Sequence, residues 1–377
     1  MRKRAIILLA LVVALAPLRA ANKSDASEPF FNEGRVHTLQ IEIPASSLSA
    51  FKLGQRDYVR AIVRDGTTTW RDVGVRLKGH STFQPIDRKP GLSLKFNEFT
   101  SGQEFHGLSK VNLNNCLQDP SYLREVLAAQ LFHDADLPAA RVASVRVQLN
   151  GRELGFYNLV EGVNKGFLKR EFGFAGGNLY EGETKDIDQH LDQENGDDFS
   201  QKDLLDLAAA ARAPRADRLT KLSAALDVDQ FARFLAMEML LGSVDGYAFT
   251  KNNYRVYHQP KTGRMLFMPH GLDATFGKAV VTPPPGSLLV NALWELPEFQ
   301  KSSRTSLQEL EAKVWQVETL TNRLAALTQK LVAAAPDLAT AAQVEEESRK
   351  LRGQIVKQPE LIAAELRRAA GGEISNQ

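Results

Sequence analysis

The segment from Asp245 to Gly277, DGYAFTKNNYRVYHQPKTGRMLFMPHGLDATFG, constrains the fold more than any other part of the chain. NNYRVYHQ and RMLFMPHG alternate apolar and polar residues and are joined by PKTG, whose Pro and Gly favour a tight turn, so the pair reads as a hairpin. Upstream, VDQFARFLAMEMLLG is apolar at helical spacing. The order is therefore helix, Asp245-bearing loop, Asn252-Asn253, hairpin, Asp273.

Protein kinases share that order: a helix leads to a catalytic-loop Asp, an Asn then binds metal, a hairpin follows, and an Asp-Phe-Gly motif supplies the other metal contact. Phosphoryl transfer needs divalent cations to neutralise clustered phosphate charge, and hard Mg²⁺ prefers carboxylate and amide oxygens. Asp273 with Asn252 or Asn253 would supply them, and Asp245 would orient a hydroxyl and accept its proton. The spelling departs from ordinary kinases: no HRD precedes Asp245, and DATFG replaces DFG. Taken singly, Asp-Gly and Asn-Asn are also common turn and strand-opening pairs.

The 377 residues carry ordinary hydrophobic and charged fractions, enough for a two-lobed core or two domains. Acids and bases are interspersed and the formal charge is +2, so no nucleic-acid footprint is expected. At the N-terminus Arg2-Lys3-Arg4 precedes an apolar run from Ala5 to Ala16, then Pro17 and small residues. This predicts a Sec-type signal peptide over residues 1–21, cleaved near Ala20 or Ala21, giving a periplasmic or extracellular protein with no transmembrane domain after cleavage. The run is shorter than the ~20 residues of a membrane helix; an uncleaved anchor is the alternative. The sole cysteine, Cys116, excludes an intramolecular disulfide and a Cys-based zinc site and is expected to be a small buried hydrophobe.

Residues 28–190 are rich in strand signals, among them VHTLQIEIP, DYVRAIVRDG, RDVGVRLKG and GLSLKF, and QLNGRELGFYNLV predicts a hairpin. One helix interrupts them, DPSYLREVLAAQLFHDADLP, with Asp119 as N-cap and Pro120 at its first position. The acidic stretch EGETKDIDQHLDQENGDDFSQKD reads as a loop or partly ordered linker, and residues 191–225 as linker plus helices. Residues 226–290 hold the site segment, and 291–377 are helical with breaks expected at Pro336 and Pro359. No sustained a/d seam appears, so the oligomeric state is not legible. The expected class is α+β, a strand-rich N-terminal lobe followed by a mainly helical one.

A second constellation lies in VGVRLKGHSTFQPIDRKPGLSLKF. Arg76 and Lys78 precede Gly79-His80-Ser81-Thr82, a turn whose amides, with nearby ammonium groups, can cradle phosphate oxygens. Alternation on GLSLKF puts Ser93 and Lys95 on the face opposite Leu92 and Leu94, so Lys95 would project into a cleft and pair with Glu125, as a kinase small-lobe Lys pairs with its Glu. The bland reading is surface charge on an antiparallel sheet.

VRLKGHSTF with RKPGLSLKF, then LREVLAAQLFHDADLPAARVASVRVQLNGRELGFYNLVEGVNKGFLKREFG, GGNLYEGE and NNYRVYHQPKTGRMLFMPHGLDATFG closely resembles the CotH family of spore-coat-type atypical protein kinases, over residues 36–277. The resemblance implies a divergent two-lobed kinase-like fold that binds ATP with Mg²⁺, or Mn²⁺, and phosphorylates Ser or Thr on proteins. It implies Asp245 as the catalytic-loop Asp, Asp273 as the metal Asp, Lys95 as the nucleotide Lys, and Glu161 in the LxE signature. Many members read P-W-D-x-D where this chain reads Pro269-His270-Gly271-Leu272-Asp273, so one acid of a pair is absent; His270 is a poor Mg²⁺ ligand and is expected to pack or hydrogen-bond. The alternatives are a non-catalytic envelope or surface-binding scaffold, and metal-assisted hydrolysis of a phosphorylated glycan or lipid.

Overall fold

The computed structural model describes residues 25–52 and 56–374; the expected signal peptide lies outside them. Seven strands make the first half: β1 (His37–Glu42), β2 (Val59–Asp65), β3 (Thr68–Lys78), β4 (Gly91–Lys95), β5 (Lys110–Asn114), β6 (Val142–Leu149) and β7 (Arg152–Glu161). They close into a barrel in the order β1-β2-β3-β4-β5-β7-β6. Every pair is antiparallel except β1 with β6, which run parallel and seal it. Period-2 alternation fills the interior with Leu39, Ile41, Val63, Val75, Leu77, Leu92, Leu94, Val111, Leu113, Val145, Val147 and Leu159. The same alternation turns Arg76, Lys78, Ser93, Asn112 and Asn114 outward, where they line a cleft. As the sequence predicts, β6 and β7 form a hairpin. Its turn residues Asn150 and Gly151 have φ of 49° and 77°, the positive pair a tight two-residue hairpin requires.

Short helices α1 (Glu28–Asn32) and α2 (Ala45–Lys52) flank β1. The inserted helix α3 spans Arg124–Asp134, starting later than expected. Buried Asp119 instead folds a turn through Ser121 and reaches forward to accept from the Arg124 amide at 2.9 Å. It still satisfies an early helical donor, but from outside the helix.

After α4 (Lys165–Phe172), strands β8 (Leu179–Gly182), β9 (Asp192–Asn195), β10 (Tyr254–Gln259) and β11 (Arg264–Pro269) form a second, antiparallel sheet in the order β11-β10-β8-β9. The acidic stretch read as a linker thus contributes β9, anchored because Ile187 and Leu191 are fully buried among its polar residues. Between β9 and β10 lie α5 (Lys202–Ala211), α6 (Arg215–Ala225), α7 (Val228–Leu241) and α8 (Tyr247–Thr250). Asp227 caps α7 by accepting from the Gln230 amide, and Gly242 ends it with φ 54°. Helices α9 (Leu288–Trp294), α10 (Pro297–Lys313), α11 (Val317–Ala334) and α12 (Leu338–Ile374) complete the second half. Its large core, which also takes in α3, is distinct from that of the barrel, and a smaller cluster gathers around Phe167, Tyr257 and Met268, so the class is α+β.

Pro336 separates α11 from α12 as expected, but Pro359 lies within α12 and does not break it. Proline removes the amide that would bond to the Ile355 carbonyl. The Trp315 indole donates to that carbonyl instead, at 3.1 Å, so the helix continues through a site that its own backbone cannot satisfy.

Candidate active site

The cleft, about 320 Å³ in volume, is walled on one side by the outer face of β3, β4 and β5 and on the other by β8, β10 and the loops bearing Asp245 and Asp273. Register decides which cation enters it. Lys78 pairs with Gly91 across β3 and β4, and Gly74 pairs with Lys95. Gly91 has no side chain to cover the Lys78 stem, whose Cγ lies 3.3 Å from where a Cβ would stand. Lys78 therefore lies flat in the cleft and donates to Asn114 Oδ1. The Asn114 amide in turn donates to both Glu125 oxygens, at 2.9 and 3.0 Å. The lysine linked to Glu125 is therefore Lys78, through Asn114, and not the expected Lys95.

Lys95 is not part of it. Four residues further along the β3–β4 ladder, it sits at the rim, half exposed, and pairs with Glu98 at 2.6 Å. Glu161 is also elsewhere: at the end of β7 its buried carboxylate is gripped by Arg141 at 2.9 and 3.0 Å and by Arg170 at 2.8 Å. Two guanidiniums hold its carboxyl below the usual range despite burial. Its role is to tie β7 to α4 and to the start of β6, and it does not line the cleft. Arg76 lines the cleft, with its buried Nε lacking a hydrogen-bond partner. The Gly79–Thr82 turn also lines it, Gly79 at φ 104° with the Phe83 amide bonded back to the His80 carbonyl.

Opposite, Glu238 of α7 accepts from the Tyr247 and Ala248 amides, both at 2.9 Å, which folds the loop carrying Asp245 onto the helix. A Cβ at Gly246 would stand 2.3 Å from that carboxylate, so only glycine allows the cap. Asp245 accepts from Asn253 Nδ2 at 2.8 Å and from Thr250 Oγ1 at 3.2 Å. Asn252 uses its Oδ1 to accept from the Thr184 amide at 3.1 Å. Gly271, in place of the second acid, has φ 57°, and a Cβ there would meet the Asn253 amide at 2.7 Å. The missing side chain is the space that Asn253 occupies to hold Asp245. The Asp273 loop is fixed from behind: Gly242 and Gly277 approach so closely that a Cβ on either would lie about 2.5 Å from the other's backbone, and Arg124 donates to the Thr275 carbonyl at 2.6 Å.

His270 behaves as expected of a hydrogen-bonding residue. Its Nδ1 takes the Arg255 guanidinium at 2.6 Å and its Nε2 faces Glu181 at 2.9 Å. Burial, then the Arg255 charge, lowers its pKa, so the neutral ring accepts at Nδ1 and donates at Nε2. Arg255 also binds Glu194 at 2.8 Å and Glu181 at 3.1 Å. Sequence reasoning did not single out Arg255, Glu181, Glu194, Lys110 or Asn114. Each is one polar position in an alternating strand, and only strand order brings them together.

The electrostatics are unbalanced. Burial raises the Asp273 carboxyl and the neighbouring Asp245 charge adds to this, with Lys78 opposing. Burial and then Asp273 push Glu125 up to about 7. Burial lowers Lys78 while Glu125 and Glu181 counteract. A cleft whose carboxylates raise one another in pKa is one that a cation would relieve.

An α+β protein with this cleft, acids on one wall and lysine and arginine on the other, defines a class of polar, charge-lined site. The chain belongs to the family described as CotH kinase protein, whose family model matches residues 75–360. Among similar proteins, the inner spore coat protein H of Bacillus subtilis (strain 168) is 23% identical over 260 residues, covering 62% of this chain and 70% of that protein. Invasin CotH7 of Rhizopus delemar is 25% identical over 315 residues, 70% of this chain and 52% of that one. Invasin CotH2 of the same fungus is 24% identical over 266 residues, 60% and 44% respectively. The chain thus spans about half the length of these invasins. Among solved structures, the Helicobacter pylori proinflammatory kinase CtkA aligns with TM-score 0.34 and 9% identity over 75% of this chain and 95% of that one. The Shewanella oneidensis HipA–HipB–operator DNA complex gives TM-score 0.32 and 14% identity over 76% and 68%. At those scores neither defines the fold, which rests on the strands and helices above. No helix among the described residues is long and apolar enough to cross a membrane.

Proposed function

We propose that this chain is an exported CotH-type Ser/Thr protein kinase of divergent, two-lobed kinase-like build, transferring the γ-phosphate of ATP to protein hydroxyls with Mg²⁺, or Mn²⁺. The observation that carries the reading is the convergence of Lys78–Asn114–Glu125 and of Asp245, Asn253 and Asp273 on one cleft also lined by Arg56, Arg76 and Lys110. The donor set fits a hard divalent cation: Asp273 is the ligand whose charge needs relief, and Asn253 and Asn252 line the same cleft with amide oxygens, that of Asn252 shared with the Thr184 amide. Such an ion would neutralise phosphate charge.

The chain's own residues do the rest. Lys78, positioned by Asn114, and the Arg76 guanidinium on the same wall bind phosphate oxygens. Asp245, oriented by Asn253, receives the proton of the attacking hydroxyl as its oxygen bonds to the γ-phosphorus, the bond to the β-phosphate oxygen breaks, and ADP departs. Gly271 favours a second reading, a non-catalytic envelope or surface-binding scaffold, because it leaves one acid where many family members have two.

A thermal shift with ATP and Mg²⁺, beside a phosphoryl-transfer assay, separates the two. At ~100 times its dissociation constant the nucleotide should stabilise the wild type by ~2.7 kcal/mol. Asp273→Ala should abolish both the shift and transfer. Absence of either effect in the wild type overturns the kinase reading.

A further inference from the structure

Away from the cleft, and sharing none of its residues, His37, Asp65 and His106 bring ligand atoms within 4.8 Å of one another. His37 opens β1 and Asp65 ends β2, its antiparallel partner. His106 lies in a tight turn closed by reciprocal Phe105–Leu108 backbone bonds of 2.8 Å, at φ 45° with Gly107 at φ 83°. Asp65 Oδ2 is the shared centre, 2.7 Å from His37 Nδ1 and 3.1 Å from His106 Nε2. The other nitrogen of His37 faces Glu33 Oε2 at 2.7 Å.

We propose that His37 Nδ1, Asp65 and His106 Nε2 form a zinc-class transition-metal site, with Glu33 orienting His37 from outside. Three observations carry it. Two imidazoles and one carboxylate suit Zn²⁺, whereas Mg²⁺ avoids nitrogen. Ligand atoms ~2.0–2.2 Å from a tetrahedral zinc lie about 3.4 Å apart, so the pairs now at 2.7 and 3.1 Å would open by well under an ångström while the two ring nitrogens, within 4.8 Å of each other, settle to the same spacing. A proton between His37 Nδ1 and Asp65 fills the place the cation would take. The carboxylate at the far nitrogen of a metal-binding histidine is the recurrent second partner of such sites, fixing tautomer and ring plane.

The surroundings agree. Phe30 stacks on His106 at 5.1 Å and lies 4.5 Å from the His37 ring, and Phe105 and Trp70 close on His106 at 4.6 and 5.6 Å. His37 and Asp65 are buried while His106 is a third exposed, so the cluster meets solvent on the His106 side. The site would tie α1, β1, β2 and the 105–108 turn together at one place on the barrel.

The test uses the full chain, stripped with chelator and titrated with Zn²⁺ by calorimetry and with Co²⁺ by visible absorption. Wild type and Asp273→Ala should each bind one ion here, with the intense visible bands of four-coordinate Co²⁺. His106→Asn, which tolerates the left-handed backbone, and Asp65→Asn should lose it. Glu33→Gln, at a half-exposed position outside the fold's core, should weaken it by ~10–100-fold. Wild type without such a site, or unchanged binding in His106→Asn and Glu33→Gln, overturns the proposal. Loss in Asp273→Ala with retention in His106→Asn would place the ion in the cleft and also overturn it.

Discussion

Lys78 and Lys95 have the same chemistry and lie on the same outer face of the barrel, yet only one enters the cleft. Removing the charge at Lys78 (Lys78→Met) should abolish ATP-dependent thermal stabilisation, whereas Lys95→Met, which breaks only a rim ion pair, should leave it within about twofold. Equal loss in both would show that the relay through Asn114 is not the nucleotide contact. Gly271 carries a second residue-scale prediction. Restoring the family acid with Gly271→Asp places a side chain at φ 57° and drives its Cβ into Asn253. The clash, rather than a left-handed backbone that Asp tolerates, should cost about 1–3 kcal/mol in thermal melting and release Asp245, so phosphoryl transfer should fall. Of the residues singled out in the sequence, Asp245, Asp273, Asn252, Asn253, Arg76 and Lys78 line the cleft and Glu125 bonds to Asn114 on its wall, because their loop position and their nearness to the Gly79–Thr82 turn carry them there. The sequence misplaced Lys95 and Glu161. Alternation gives the face but not the height along a ladder, and a buried Glu between two arginines distant in sequence looks like any other charged strand end.

At the scale of elements, both hairpins were legible from their turns, Asn150-Gly151 and the Pro260–Gly263 loop. The barrel was not, because the parallel β1–β6 pair that closes it leaves no turn between partners and so no local signal. The cap joining α7 to α8 was equally hidden. Glu238 is apolar in company and charged in type, and burial pushes its carboxyl up to about 7 from an ordinary 4.5. A raised folded-state pKa means that the native state holds the extra proton between those values. Its contribution is therefore complete below about pH 4.5 and is lost as pH rises through about 7, by at most roughly 3 kcal/mol. Wild type should melt lower at about pH 8 than at about pH 5.5, and Glu238→Gln, with no proton to lose, should show a smaller difference. An undiminished difference would assign the titration to another group. Likewise Trp315→Phe, which deprives the Ile355 carbonyl of its donor, should cost about 1–3 kcal/mol and depress the melting temperature.

For the whole molecule, the cleft depends on parts far from it in sequence. Gln358 of α12 donates to the Leu240 carbonyl at 2.7 Å and to the Gly277 carbonyl at 3.0 Å, clamping the end of α7 to the Asp273 loop. The two glycines between them permit that contact, and Gly242→Ala should loosen the Asp245 and Asp273 loops together, lowering both melting temperature and any nucleotide-dependent shift. Helix α12, composed mainly of ordinary solvated positions, gave no sign in the sequence that one glutamine would brace the site.

Barrel closure also sets a limit on how the protein can be cut. The family match begins at residue 75, inside β3, so a fragment of residues 75–360 would lack β1 and β2. It would keep every cleft residue except Arg56, but β3 and β6 would become open sheet edges and the apolar barrel interior would be exposed to water. Such edges recruit other chains. The trimmed domain should therefore be recovered as self-associated material, while a chain that retains residues 25–74 should not.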